Sequence, residues 1–424
     1  MKTSVLLDHE PVAEGGFLVR ALLRIEGEAP PIEGRTPLNL SLVLDRSGSM
    51  AGEPLRAARD AAITLVRRLR PEDVVSVVAY DDQVHVVAEP ATGEEQEDVT
   101  GRIASIGTGG TTNLSGGWLR GRELVAVRLR EGGVNRILLL TDGQANQGIT
   151  DRDRLQGLCR MSAEHGVTTT TIGFGAHYDE DLLRGMADAG RGSTYYIEHA
   201  DQATGVFEEE LEGLLSLVAQ NVRVRIRPGA DTGAVKVLHD YPSHAEGRDL
   251  TLEVGDVYAR EPRRVLLECL LPPEAAREGE ADARVADLEV VAQVLTAGGG
   301  VEQQTLTLPI TLSPVDGGKV EPEVRKEVLL LEAARAREEA LDAERRGDYR
   351  TGSEALRRAV CDLGTSTYSD AETREELRDL EAMEMRFREG QVDGTDVKYM
   401  KQRALEARRS RHLAKERIRR TGEE

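Results

Sequence analysis

Leu42-Val43-Leu44-Asp45-Arg46-Ser47-Gly48-Ser49-Met50 sets the reading of everything around it. The apolar run Leu38–Asp45 is too short for a helix and reads as a buried strand. It runs straight into a Gly/Ser loop that carries a carboxylate and two hydroxyls. Downstream, Pro54–Leu69 places Leu55, Ala58, Ala62, Leu65, Val66 and Leu69 on one helical face. Val74–Tyr80 and Val84–Ala88 read as strands, with Asp81-Asp82 as a hairpin turn between them. The alternation continues: helix Trp118–Leu129, strand Arg136–Thr141, helix Asp151–His165, strand Val167–Phe174. Helix Asp179–Ala189, strand Thr194–Ile197 and helix Asp201–Val218 complete it. Short buried strands alternating with amphipathic helices predict an α/β domain over residues 37–218, its mostly parallel sheet covered on both faces.

Three loops of this domain carry chemistry. The first is Asp45-Arg46-Ser47-Gly48-Ser49. The second, Gly109-Gly110-Thr111-Thr112-Asn113, lies just before a helix. The third, Thr141-Asp142-Gly143, follows Ile137–Leu140. Open α/β sheets bind ligands at the carboxyl ends of their strands, so these loops are expected to converge. Asp45, Ser47, Ser49, Thr112 and Asp142 offer oxygen alone, which selects Mg²⁺, Mn²⁺ or Ca²⁺ over zinc or copper. Mg²⁺ takes about six ligands at roughly 2.1 Å, so five groups leave a position open. Two carboxylates balance a dication. Neutral hydroxyls leave it electrophilic toward an outside Asp or Glu. Asp-x-Ser-x-Ser alone reads equally well as a Ser-rich turn, and the three loops in order carry the specificity. Gly48, Gly110 and Gly143 let backbone approach closely.

Those segments, with Gly110-Thr111-Thr112-Asn113-Leu114 and Leu139-Leu140-Thr141-Asp142-Gly143, resemble the von Willebrand factor type A (VWA) family over about 180 of the 424 residues. The resemblance implies a Rossmann-like sheet with one antiparallel edge strand. It also implies a complete metal-ion-dependent adhesion site (MIDAS) at Asp45, Ser47, Ser49, Thr112 and Asp142, with Thr111 an alternative for the threonine. In the family that site binds Mg²⁺ or Mn²⁺, and a partner's acidic side chain completes the coordination.

The flanks read differently. Phe17–Glu26 alternates as a half-buried strand does. From residue 221, Val222, Val224 and Ile226 alternate with arginines, and Ala234–Leu238, Leu250–Val254, Val265–Leu271, Asp287–Leu295 and Gln304–Leu312 read as strands. The expectation is an antiparallel β-sandwich built from residues 1–36 and 219–315 with the α/β domain inserted. The alternative is an N-terminal strand that extends the α/β sheet. The module loosely resembles the arrangement in bacterial VWA relatives and in inter-alpha-trypsin inhibitor heavy chains. Residues 316–322 read as a linker and 323–424 as a helical region: Glu323–Arg346, Tyr349–Leu363, Ala371–Glu389 and Thr395–Arg419. The turn Arg346-Gly347-Asp348-Tyr349 resembles one tetratricopeptide-type unit.

Composition excludes several classes. Net charge is −20, and residues 323–424 hold 23 basic against 24 acidic side chains, which leaves −19 on the remainder. Such a field disfavours nucleic acid and anionic membranes, and 3% aromatics disfavours base stacking. Cys159, Cys269 and Cys361 stand alone, which fits a reducing cytoplasm. Met1–Glu10 has no apolar run long enough for a signal peptide and no stretch approaches about 20 apolar residues, so neither a leader nor a membrane helix is expected. The chain has no HExxH and no phosphate-binding loop, and no His beside Ser47 or Ser49 to activate them. A non-enzymatic, cytoplasmic, Mg²⁺-dependent protein-interaction module is therefore expected. The alternative is an adaptor subunit of an AAA-type ATPase machine, docking through its helical tail, and a metal-dependent hydrolase ranks third. Lys398–Arg420, with ten basic residues, reads as a solvated helix or one docked on the same protein, more than as a nucleic-acid arm. Trp118 is expected to pack beneath the second loop and Tyr195-Tyr196 to be core.

Overall fold

Pairing of the first strands decides how the ends of the chain are used. In the computed structural model, which describes residues 1–12, 16–28, 36–131, 133–175, 178–259, 261–273, 282–296, 300–313, 318–368 and 370–409, β1 (Lys2–Pro11) and β2 (Phe17–Glu26) form an antiparallel hairpin. Strand β3 (Leu38–Asp45) is buried along its whole length. It leads into α1 (Glu53–Arg67), β4 (Val74–Tyr80), β5 (Val84–Thr92), α2 (Gln96–Ala104) and α3 (Leu114–Val127). Then come β6 (Val134–Thr141), α4 (Arg152–Glu164), β7 (Thr168–Phe174), α5 (Glu180–Ala189), β8 (Arg191–Ile197) and α6 (Ala203–Leu215).

These strands form one sheet in the order β5-β4-β3-β6-β7-β8. β3 runs parallel to β4 and β6, and β7 to β6 and β8. The antiparallel member is β5, which returns from β4 through Asp81-Asp82. β3, β4, β6 and β7 are buried at every position. This is why they read as unbroken apolar or Thr-rich runs instead of alternating ones. On one face Val43, Val78, Ile137 and Leu139 meet Trp118, Leu124, Leu155, Leu182 and Met186 from α3, α4 and α5. Alternate residues such as Leu40, Leu42 and Leu44 turn to the other face, where α1 packs on β3 and α6.

The rest follows as β9 (Leu217–Pro228), β10 (Val235–Val237), β11 (Ser243–Glu246), β12 (Asp249–Tyr258), β13 (Arg263–Leu271), β14 (Ala283–Leu295) and β15 (Val301–Leu312). Two more sheets result, ordered β1-β2-β13-β10 and β11-β12-β9-β14-β15. β2 pairs with β13, Leu18 opposite Leu270. The N-terminal strand thus joins the second β module and does not extend the α/β sheet. The helices are α7 (Pro322–Arg345), α8 (Tyr349–Gly364), α9 (Ala371–Glu389) and α10 (Gly394–Arg408). The chain divides into two compact units. One is Ala29–Asn221 with Ala292–Gln303, and the other is Met1–Glu28 with Val222–Val291 and Gln304–Glu424.

In the second unit, α7 is no detached tail. Its Val324 and Leu331 share a core with Leu22, Leu238 and Leu266 of the β1-β2-β13-β10 sheet and its loop. Leu341, Leu356, Leu380, Phe387 and Met400 bind the four helices to one another. Inside them Glu376 takes both Arg337 and Arg403. The end of α10 is tied down as well: the Asp240 amide donates to the Arg408 carbonyl at 2.9 Å, and the Tyr241 hydroxyl to that of Arg409 at 3.2 Å.

The structure corrects several boundaries. β1, β11 and α2 were not expected. α3 starts at Leu114 instead of Trp118, since Asn113 caps it by accepting from the Gly116 amide at 3.0 Å. The expected helix through Val218 stops at Leu215, because Leu217 and Val218 already belong to β9. Within the 316–322 linker, residues 316–317 lie outside the described residues, as do residues 410–419 of the expected last helix. No helix among the described residues is long and apolar enough to cross a membrane.

Candidate metal centre

The strand end at Asp45 places a fully buried carboxylate beneath a loop of hydroxyls. One Asp45 oxygen accepts the Ser47 amide at 2.8 Å. The other accepts the Thr141 hydroxyl from the neighbouring strand β6 at 2.6 Å. The Ser47 and Ser49 hydroxyls are 3.2 Å apart, and Ser49 donates to Asp142 at 2.8 Å. The second loop is stitched on through backbone: Gly48 N donates to the Gly110 carbonyl at 2.8 Å, and Gly109 N to that of Arg46 at 2.7 Å. Thr112 is buried, and its hydroxyl lies 3.4 Å from where a Cβ on Gly143 would stand. Its carbonyl accepts the amides of Asn146 at 3.1 Å and Gln147 at 3.2 Å. Thr111 instead faces outward and accepts from Gln147 Nε2 at 2.6 Å. Hydrogen bonds join Asp45, Ser47, Ser49 and Asp142 at the carboxyl edge of the sheet, and Thr112 lies against Gly143 beside them.

Burial pushes the Asp45 carboxyl above its ordinary value, and the nearby Asp142 charge adds to the rise, against hydrogen bonds from Thr141 and Ser47. A buried carboxylate beside a second one is an arrangement that a dication relieves. Among the described residues no three His, Cys, Asp or Glu side chains form a metal-holding group. A cation here would therefore depend on hydroxyls, and two carboxylates with three hydroxyls fit a hard ion.

The profile of the von Willebrand factor type A domain matches residues 39–209. This chain carries a VWA domain. An uncharacterized protein of Synechocystis is 31% identical over 281 residues, 63% of this chain and 66% of that one. Human inter-alpha-trypsin inhibitor heavy chain H3 is 28% identical over 192 residues, 42% of this chain and 22% of that one. The chain thus spans less than two thirds of these relatives. A solved von Willebrand factor type A protein from Catenulispora acidiphila covers 96% of this chain and 96% of itself with TM-score 0.70. At 17% identity that likeness speaks for fold, and it extends beyond the VWA domain to the flanking sheets and helices.

Two residues that shape the VWA site were not singled out. Thr141 precedes Asp142 and reads as the end of a strand, yet its hydroxyl is the donor to Asp45 and also accepts the Gly143 amide at 3.2 Å. Asp81 reads only as a turn residue. Its carboxylate accepts the Gln83 amide at 2.9 Å, the Gly110 amide at 3.0 Å and the Arg46 guanidinium at 3.0 Å. Burial pushes Asp81 up, but these donors outweigh it and hold the carboxyl below its ordinary value. A Cβ on Gly109 would fall 1.6 Å from an Asp81 oxygen, so the second loop closes down only on glycine. The signal for Thr141 was its register: it ends β6 beside the end of β3. Asp81 had none, because its partners are backbone amides.

Proposed function

We propose that the three loops hold Mg²⁺, with Mn²⁺ or Ca²⁺ able to substitute, and that the site takes an Asp or Glu from a partner protein. Ser47, Ser49 and Asp142 hold the ion, with Thr112 beside them. Asp45, engaged by Thr141 and the Ser47 amide, supplies charge and orients the serine loop. When bound, the ion supplies a Lewis-acidic centre with an open position for a carboxylate. The observation that carries this reading is the continuous hydrogen-bonded run from Thr141 through Asp45 and the serines to Asp142. The chain is read as a binding protein of the cytoplasm, not an enzyme: the groups that surround the serines are suited to ligating a hard cation.

The test is a tagged pull-down from native cells in Mg²⁺, in EDTA, and with Asp45→Ala or the more exposed Ser49→Ala. A partner kept only by wild type in Mg²⁺ is expected. Equal recovery in every arm would sink the reading. An AAA-type ATPase retained in EDTA would instead favour the adaptor function through the helical region.

A further inference from the structure

We propose that Asp81 is a positioning residue that keeps Arg46 out of the metal site, an inference that rests on the metal-binding reading above. Arg46 lies between Asp45 and Ser47 in sequence, so its cationic arm starts from within the ligand loop. An unrestrained guanidinium there could turn toward Asp45 and Asp142 of the same loop cluster, with Asp82, whose carboxylate lies beside Gly110, as a competing partner. Turned that way, it would neutralise Asp45 and Asp142 and repel an incoming dication. The structure draws it elsewhere. Arg46 Nη2 donates to Asp81 at 3.0 Å, and its Nε is buried with no hydrogen-bond partner among the described residues. The Asp81 bond therefore restrains the guanidinium.

Asp81 is well placed to do this because it is itself fixed. It is 3% exposed. The Gln83 and Gly110 amides hold its two oxygens. Its own backbone carbonyl accepts the Asn113 amide at 2.8 Å, and the Arg46 amide is bound to the Tyr80 carbonyl at 2.9 Å. One carboxylate thus fixes the turn after β4, closes the second loop and removes the positive charge of the first. The sequence places an arginine inside an acidic cation site, and Asp81 makes that arrangement workable.

The experiment is Mn²⁺ titration of the full chain by electron paramagnetic resonance, with a melting curve in EDTA for every variant. Wild type is expected to bind. Asp81→Asn, which keeps the shape, removes the charge that holds Arg46 and turns one of the two amide-accepting oxygens into a donor, is expected to bind Mn²⁺ about tenfold or more weakly. Arg46→Ala alone is expected to bind at least as well as wild type. The double variant Asp81→Asn with Arg46→Ala is expected to recover to within about threefold of wild type. A brace without an electrostatic role would leave the double variant as weak as Asp81→Asn, and that result overturns the inference. So does unchanged affinity in Asp81→Asn. If Asp81→Asn melts too early to titrate, Asp81→Glu, which keeps the charge, must retain binding, and its failure to do so also overturns the inference. Wild type that binds no Mn²⁺ would instead refute the metal-binding reading itself, with or without Asp81.

Discussion

Thr141 carries the sharpest prediction among the single side chains. Thr141→Val keeps the shape and removes the donor, which leaves a buried Asp45 oxygen unsatisfied. The expected cost is about 1–3 kcal/mol in denaturant unfolding, with Mn²⁺ binding about tenfold weaker. Thr141→Ser should retain both. Unaltered binding in the valine variant would mean that Asp45 needs no second donor. The candidate donors were legible by type, carboxylates and hydroxyls on three strand-associated loops, and the hard cation is the reading proposed for them. What those side chains bond to was not legible. Thr141 and Asp81 act across strands, and a chain read in one dimension does not bring residues 45 and 141, or 46 and 81, together. The same holds for Trp118. Its burial was expected, but its indole donates to Thr169 at 3.0 Å in the core, and not to the loop it follows.

Among elements, β3, β4, β6 and β7 were readable because full burial on both faces writes itself as continuous apolar sequence. β1, β11 and α2 were not. Ser243–Glu246 is exposed at all four positions and is held by backbone pairing to β12. Gln96–Ala104 buries only Val99, Thr100 and Ile103. Elements held by backbone pairing or by a few contacts leave little periodic signature. The joint between β6 and α6 is testable in its own right. Arg136 and Glu210, each 1% exposed, face one another at 3.6 Å. Glu210 also accepts from Thr170 at 2.7 Å and from Tyr195 at 3.0 Å. Glu210→Ala removes a buried charge that faces Arg136 and an acceptor of the Thr170 and Tyr195 hydroxyls, and is expected to cost about 3–5 kcal/mol. A loss below about 1 kcal/mol in urea unfolding would show that water or rearrangement compensates.

For the molecule as a whole, the attachment of the helical region to the β1-β2-β13-β10 sheet matters most. The sequence suggested a linker over residues 316–322, with Pro and Gly as its punctuation. It could not show that Leu331 and Val324 are partners of Leu22 and Leu266. Leu331→Ala should cost about 2–5 kcal/mol and lower the melting temperature of this unit. A polar network borders the same contact. Arg325 donates to Asp8 at 2.8 Å and to Glu10 at 3.0 Å, and Arg20 reaches Glu10 at 2.8 Å. The Arg325 hydrogen bond chiefly, against partial burial and with help from Arg20, holds the Glu10 carboxyl below its ordinary value. A depressed carboxyl contributes stability above its unfolded value and loses it as acid titrates through the lower folded value. Urea midpoints should therefore fall from about pH 5 downward, and Glu10→Gln should flatten that acid limb. A variant with the same slope as wild type would remove Glu10 from the account.

The pairing of β2 with β13 also bears on how the protein is made. Arg20 and Glu268, which bond across these strands, are 248 residues apart. On a translating ribosome the first hairpin emerges long before the strand that must lie beside it. Meanwhile the whole VWA stretch is synthesised, and its contacts are nearer in sequence, so it can complete its own core first. A folded insert would also shorten the effective span that the host sheet must later close. The host module is thus the last part expected to mature, and it keeps an unpaired strand edge exposed until β13 arrives.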